Sequence, residues 1–259
     1  MTFLEGTGQA MNIRARLQTF TATLAAKLRV QEARIGVGYS AVLLDNGQLG
    51  IAYTFLDGLS GGCAVYSGPR PLAGMPAPEL LALLDSNNAL ESALALACAN
   101  ALINTPDKAY SEGASITQLD FSADDRVGMI GHFAPIVDKI APQVDTIEIF
   151  ERVARPGDSI RGFDEAEEVL PQCNIALITS TSIINNSIEQ ILPWVTQCRE
   201  VVMLGTSTPM SAEAFTDTPV TLLSGIVVED TAAVLQAVSE GGGTPTIRPF
   251  TRKVNLRCR

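Results

Sequence analysis

Residues able to do chemistry are sparse in this chain, so their spacing is informative. His132 is the single histidine. It lies in VGMIGHFAPIV, where an apolar run ends in glycine and a proline-started helix is expected to begin. Five cysteines, Cys63, Cys98, Cys173, Cys198 and Cys258, are scattered with no CxxC or CxxxC pair. A tight site for a soft metal needs several thiolate or imidazole ligands that converge, and this spacing offers no such cluster. The candidate metal ligands are therefore His132, Glu151 and Cys63, with a divalent or heavy metal ion as the candidate cofactor. For covalent catalysis, Ser180 or Ser207 could join His132 and Glu151 in a Ser–His–acid set, but no GxSxG elbow is present. His132, as a proton shuttle, is the one candidate catalytic residue.

The segment GMIGHF carries glycines at 128 and 131, which is not the GxGxxG spacing, and no GxxxxGK[ST] loop occurs. Glu151 does fall 20 residues after Gly131, where a ribose-binding acid would lie in a dinucleotide fold. A nucleotide or S-adenosylmethionine-type cofactor is thus the alternative to a metal or a metabolite.

The elements that must position these residues follow from hydrophobic periodicity. Residues 10–29 place Ile13, Leu17, Phe20, Leu24 and Leu28 at helical spacing. Two strand-like runs then flank Asn46-Gly47, a hairpin signal for a type I′ turn, and GCAVYSG could add a third strand. After Pro76 and Pro78 comes a short helix. NNALESALALACANALIN follows, apolar on every side and so expected to be buried. This makes an α+β unit over residues 1–120. From 121 to 259 the pattern alternates: strand-like runs at RVGMIG, TIEIF, IALITS, EVVMLG and VTLLSGIVV are separated by helical stretches at 134–141, 163–172, 187–198, 211–215 and 229–239. Runs so continuously apolar predict a mostly parallel, Rossmann-like α/β sheet covered on both faces.

Ligands in such sheets bind at the carboxyl ends of the strands. Those ends read Gly131-His132-Phe133, Glu151-Arg152, Thr179-Ser180-Thr181, Gly205-Thr206-Ser207-Thr208 and Ser224-Gly225. Three of them run towards expected helix starts: Pro135 suits a first-turn position; Asn186 with Glu189, or Ser187 with Gln190, reads as a capping box; Thr208-Pro209 repeats the cap-then-proline device. Three helix N-termini on one crevice would be receptive to an anion.

Of the 259 residues 46 % are hydrophobic and 18 % charged, with net charge −10. That describes a packed protein without the basic footprint that nucleic acid or anionic lipid would need. MTFLEGTGQA has neither a cationic nor an apolar leader region, and no apolar run of about 18 residues occurs. The odd, dispersed cysteines suit reduced thiols. The expectation is a cytoplasmic protein with a small-molecule or metal-chelate partner and no nucleic-acid or membrane partner, its assembly into a homo-oligomer left open.

Read in order, VGMIGHFAPIV, IEIFER, ALITSTSIINNSIEQIL, LGTSTPM and LLSGIVVED resemble the carboxy-terminal domain of an uncharacterised prokaryotic family labelled "putative heavy-metal chelation". YSAVLLDNGQLGIAYTFLDG and NNALESALALACANALIN resemble its amino-terminal companion. The resemblance covers roughly residues 10–250. It implies an enolase-N-terminal-like domain, a Rossmann-like domain, and a ligand cleft between them. It also implies site roles for Thr179, Asn185, Ser187, Gly205, Ser207, Thr208 and Pro209. Ser180 stands where the family pattern has glycine, Thr206 where it has proline, and Asn186 matches in part.

Overall fold

Turn chemistry and apolar runs build the first sheet. A computed structural model of the chain describes residues 12–55, 66–152 and 160–258. Helix α1 (Ile13–Ala25) begins at Asn12, whose side chain accepts the Ala15 N–H and so satisfies one unpaired donor of the first turn. Strands β1 (Val30–Ile35), β2 (Tyr39–Leu44) and β3 (Leu49–Tyr53) form an antiparallel sheet in the order β1-β2-β3. The hairpin at Asn46-Gly47 is present, but its turn is not type I′. Gly47 alone takes a positive φ (+84°), and its N–H donates to the Leu44 carbonyl at 2.9 Å, the pattern of a wider turn closed by a left-handed glycine. β1 escapes the periodicity because VQEARI is an edge strand with polar residues on both faces. The expected strand at GCAVYSG falls mostly outside the described residues, and Tyr66–Gly68 form none.

Helices α2 (Ala77–Ala82) and α3 (Ala89–Ile103) follow. Asn88 caps α3 through the N–H groups of Leu90 and Glu91. Every residue of α3 from Ser92 to Ile103 is buried, because β2 and β3 cover one side and the rest of the chain covers the other.

The remaining strands are β4 (Ser111–Glu112), β5 (Arg126–Ile130), β6 (Thr146–Glu151), β7 (Ile160–Gly162), β8 (Ile175–Thr179), β9 (Glu200–Leu204), β10 (Leu222–Val228) and β11 (Thr251–Arg257). They form one eight-stranded sheet in the order β4-β11-β10-β9-β8-β5-β6-β7, antiparallel only at β10–β11 and β11–β4. Numbered within the parallel part, the order is 3-2-1-4-5-6, that of a doubly wound sheet, with its direction reversing between β5 and β8.

The helices between these strands are shorter than the periodicity suggests: α4 (Ala134–Ile140), α5 (Ala166–Val169), α6 (Thr181–Ile184), α7 (Ile188–Trp194), α8 (Thr231–Ser239) and α9 (Thr244–Ile247). Stretch 163–172 is a short α-helix between two 3₁₀ turns. Stretch 187–198 ends at Trp194 beside Pro193. Stretch 211–215 holds only the 3₁₀ turn Glu213–Phe215, so Thr208-Pro209 opens no α-helix. The expected capping boxes are also absent: Ser187 caps nothing with its side chain, and Glu189 instead accepts the Ile13 N–H at 2.8 Å.

Two features lock the chain together. The largest apolar cluster runs without a break from Ile13, Leu17 and α3 to Ile130, Phe150 and Ile178 of the large sheet. The opposite face of β2 and β3, with Tyr39, Ala41, Leu43, Leu49 and Ile51, packs on Val234, Leu235 and Val238 of α8. Among the described residues no helix is long and apolar enough to cross a membrane.

Candidate functional site

Where the parallel sheet reverses, the tips of β5 and β8 diverge, and backbone geometry there is set by glycine. Gly131 ends β5 with φ +86°, and a β-carbon on it would stand 3.1 Å from Cβ of Thr179 at the tip of β8. Gly205 ends β9 with φ +126°, and a β-carbon there would lie 2.9 Å from Oγ of Ser180. Both turns thus need a residue that tolerates a left-handed backbone and adds no bulk.

Above these tips lies a cavity of about 590 Å³, within the range of small-molecule sites. Thr179, Ser180, Thr181, Gly205, Thr206 and Ser207 form its floor. His132, Phe133, Ile136 and Lys139, at and after the end of β5, form one flank. Ser224–Ile226 of β10 with Thr251 and Lys253 of β11 form the other. The first sheet supplies Tyr39 and Tyr53, and the segment around α9 supplies Thr244 and Arg248.

Buried amides hold the floor in place. Asn100 Nδ2 donates to the carbonyls of Ile51 (3.0 Å) and Ser207 (3.1 Å). Asn104 Nδ2 donates to the Thr208 carbonyl at 2.9 Å, while its Oδ1 accepts the Met210 N–H at 2.9 Å. Ser207 Oγ accepts the Tyr53 N–H at 2.8 Å. The Tyr39 hydroxyl lies 2.6 Å from the Thr244 hydroxyl and donates to Thr206 Oγ1 at 3.3 Å. Two buried polar atoms here, Asn100 Oδ1 and the Oγ of Ser180 (1 % exposed), have no hydrogen-bond partner among the described residues. A buried hydroxyl without a partner is unfavourable.

The charges are one-sided. Lys139, Arg248, Lys253 and His132 line the cavity, and among the described residues no Asp or Glu does, in a chain of net charge −10. None of these four forms an ion pair with another described residue.

The residues singled out in the sequence divide. The structure brings His132, Phe133, Thr179, Ser180, Gly205 and Ser207 together on the cavity wall. Gly131 lies just beneath, with its N–H donating to the Phe150 carbonyl at 2.9 Å. Glu151 does not line the cavity; its Oε1 accepts the His132 backbone N–H at 2.9 Å. Thr208 is fully buried, its hydroxyl donating to the Gly205 carbonyl at 2.8 Å. Asn185 and Ser187 stand away from the cavity, where Asn185 Oδ1 accepts both the N–H (3.0 Å) and the hydroxyl (2.7 Å) of Ser187. That loop docks α1: the buried Arg14 guanidinium donates to the Ile183 carbonyl at 2.9 Å and the Ile184 carbonyl at 2.5 Å.

Sequence reasoning missed Tyr39, Tyr53, Lys139, Arg248 and Lys253. A signal for Lys253 existed: in TRKVNLR, strand alternation sets Thr251 and Lys253 on one face and Arg252 on the other.

No Ser–His–acid relay is assembled among the described residues, since Ser180 Oγ is unpartnered and Ser207 Oγ is engaged by Tyr53. Nor do three His, Cys, Asp or Glu side chains gather there as a metal site; Cys63 lies outside the described residues. Burial pushes the thiols of Cys98 and Cys198 up to about 12 and that of Cys173 up to about 11, and none of the three lines the cavity. Hydroxyls, cations and one imidazole do not fit a resident soft heavy-metal ion.

Two family models match the chain: DUF364, described as "Putative heavy-metal chelation", over residues 114–257, and DUF4213, with the same description, over residues 18–103. Among solved structures, the chain is similar to a DUF364-family protein with unknown function from Pyrococcus horikoshii. The two are 19 % identical, with a TM-score of 0.84, over 95 % of this chain and 100 % of that one. It is also similar to a DUF364-family protein with unknown function from Desulfitobacterium hafniense DCB-2, at 21 % identity and a TM-score of 0.74, over 93 % of this chain and 98 % of that one. At such identities the likeness is one of fold. No curated protein matches the chain.

Proposed function

This chain belongs to the DUF364 family, and from that premise we propose that it binds a small anionic metabolite, metal chelates included, in the cavity between the first sheet and the β5–β8 reversal. The observation that carries this reading is the lining that the described residues form: three Lys or Arg side chains and His132, no carboxylate among them, and a hydroxyl-rich floor. Such a surface attracts oxyanions and repels bare metal cations. A heavy metal would therefore arrive coordinated by its chelator, as part of the ligand. His132 is then a ligand contact or proton donor at the lip. The buried thiols of Cys98 and Cys173, neither in a disulfide, also suit our placement of the protein in the cytoplasm.

Thermal unfolding with citrate, zinc citrate and free zinc tests the reading. Citrate and its zinc complex should raise Tm in a dose-dependent way, and Arg248→Glu should remove that rise. Stoichiometric binding of free zinc, with no response to citrate, would overturn it.

A further inference from the structure

We propose that the ligand of this cavity is elongated and anionic at both ends. The inference rests on the anion-receptor reading above and specifies the shape of the anion. Lys139 belongs to α4, which leaves the tip of β5, whereas Lys253 belongs to β11. Between them the sheet runs β5-β8-β9-β10-β11. Four strand spacings separate β5 from β11 by roughly 19 Å. The cations therefore stand on opposite flanks, with Arg248 also on the rim.

Strand β11 shows that this placement is selective. Ile226 of β10 pairs with Lys253, and alternation turns Lys253 and Thr251 to the cavity while Arg252 faces away. There Arg252 meets Glu112 and Glu229, each at 2.9 Å. The outward cation is neutralised twice, and the cavity-side cation by no described residue.

Between the flanks the floor is uncharged. Within it Ser180 Oγ is buried and has no hydrogen-bond partner among the described residues, and a β-carbon on Gly205 would crowd it at 2.9 Å. A ligand with a hydrogen-bond acceptor in its middle and an acidic group at each end would complete all three places at once. A compact anion, such as one phosphate, would serve one flank and leave the other without a counter-charge.

Isothermal titration of the full-length protein with octanoate, succinate, suberate and dodecanedioate reads this directly. The long dicarboxylates should bind about tenfold more tightly than octanoate, the factor that a further 1.4 kcal/mol supplies, and succinate should show no such gain. Lys139→Gln and Lys253→Gln, both at exposed positions, should each remove the gain, so that dodecanedioate binds such a variant no more tightly than octanoate does. Equal affinities for octanoate and dodecanedioate would overturn the two-ended ligand while leaving the anion receptor intact. Absence of binding by every carboxylate, citrate included, would overturn both.

Discussion

Replacing Ser180 with alanine should stabilise the ligand-free protein while weakening its ligand binding. Ser180 is 1 % exposed and its hydroxyl has no partner. Leaving a buried hydroxyl unpaired costs about 1–3 kcal/mol. Alanine removes that group at the expense of one small volume of packing, less than the ~0.8 kcal/mol of a methylene. The balance favours the variant by about 1 kcal/mol, which for a chain of this size is a rise in Tm of roughly 2–4 °C. Calorimetry of the ligand-free proteins measures it, and a repeat with saturating suberate measures the other half. There the ligand-induced rise in Tm should be smaller in Ser180→Ala, because a weaker complex stabilises less by mass action. A drop in the ligand-free Tm would refute the reasoning, since the hydroxyl would then be making a stabilising contact within the fold.

Three further outcomes follow from the same geometry. Gly205→Ala forces a side chain onto a φ of +126° and a β-carbon to 2.9 Å from Ser180 Oγ. Urea denaturation should show a loss of about 1–3 kcal/mol, part of it recovered when Ser180→Ala is added, because the two positions touch. Asn104→Ala removes the partners of the Thr208 carbonyl and the Met210 N–H, and should cost about 2–3 kcal/mol by the same assay. Asp125 is pushed up by burial but held below the usual carboxylate range by hydrogen bonds from Arg199, the Ser122 N–H and Asn174. Its contribution is therefore complete above the ordinary carboxylate value and lost as pH falls through the depressed one. Asp125→Ala should be destabilised by about 2–3 kcal/mol at neutral pH, with the gap to the parent protein narrowing below about pH 4.

The parallel strands were legible because a strand buried on both faces must be apolar along its middle, as β5, β8 and β9 are, with polar residues only at their ends. α3 was legible for the same reason. β1 and β11 were not: each mixes charged and apolar residues, and their pairing is visible only once a neighbour supplies the other half of the ladder. Helix lengths were overread because 3₁₀ turns share the apolar spacing of a short helix, and Pro193 and Pro171 lie inside two expected helical stretches. At the site, the strand-tip rule located the floor, since tips are local in sequence. The flanks were hidden because Tyr39, Arg248 and Lys253 arrive from distant segments through tertiary packing. Asn185 and Ser187 look like site residues in sequence, yet their short polar side chains shape a turn that Arg14 grips from α1.

The seating of α8 on the first sheet bears on how the chain is made. β2 and β3 leave the ribosome well before residues 231–239, which close one of their faces. Until then Tyr39, Leu43 and Ile51 have no partners on that side. The first sheet must wait, partly uncovered, until α8 is made, and such exposed apolar surface is what draws chaperones and favours aggregation. The cavity draws on Tyr39 as well as on Arg248 and Lys253, so it is completed only after β11 has been made.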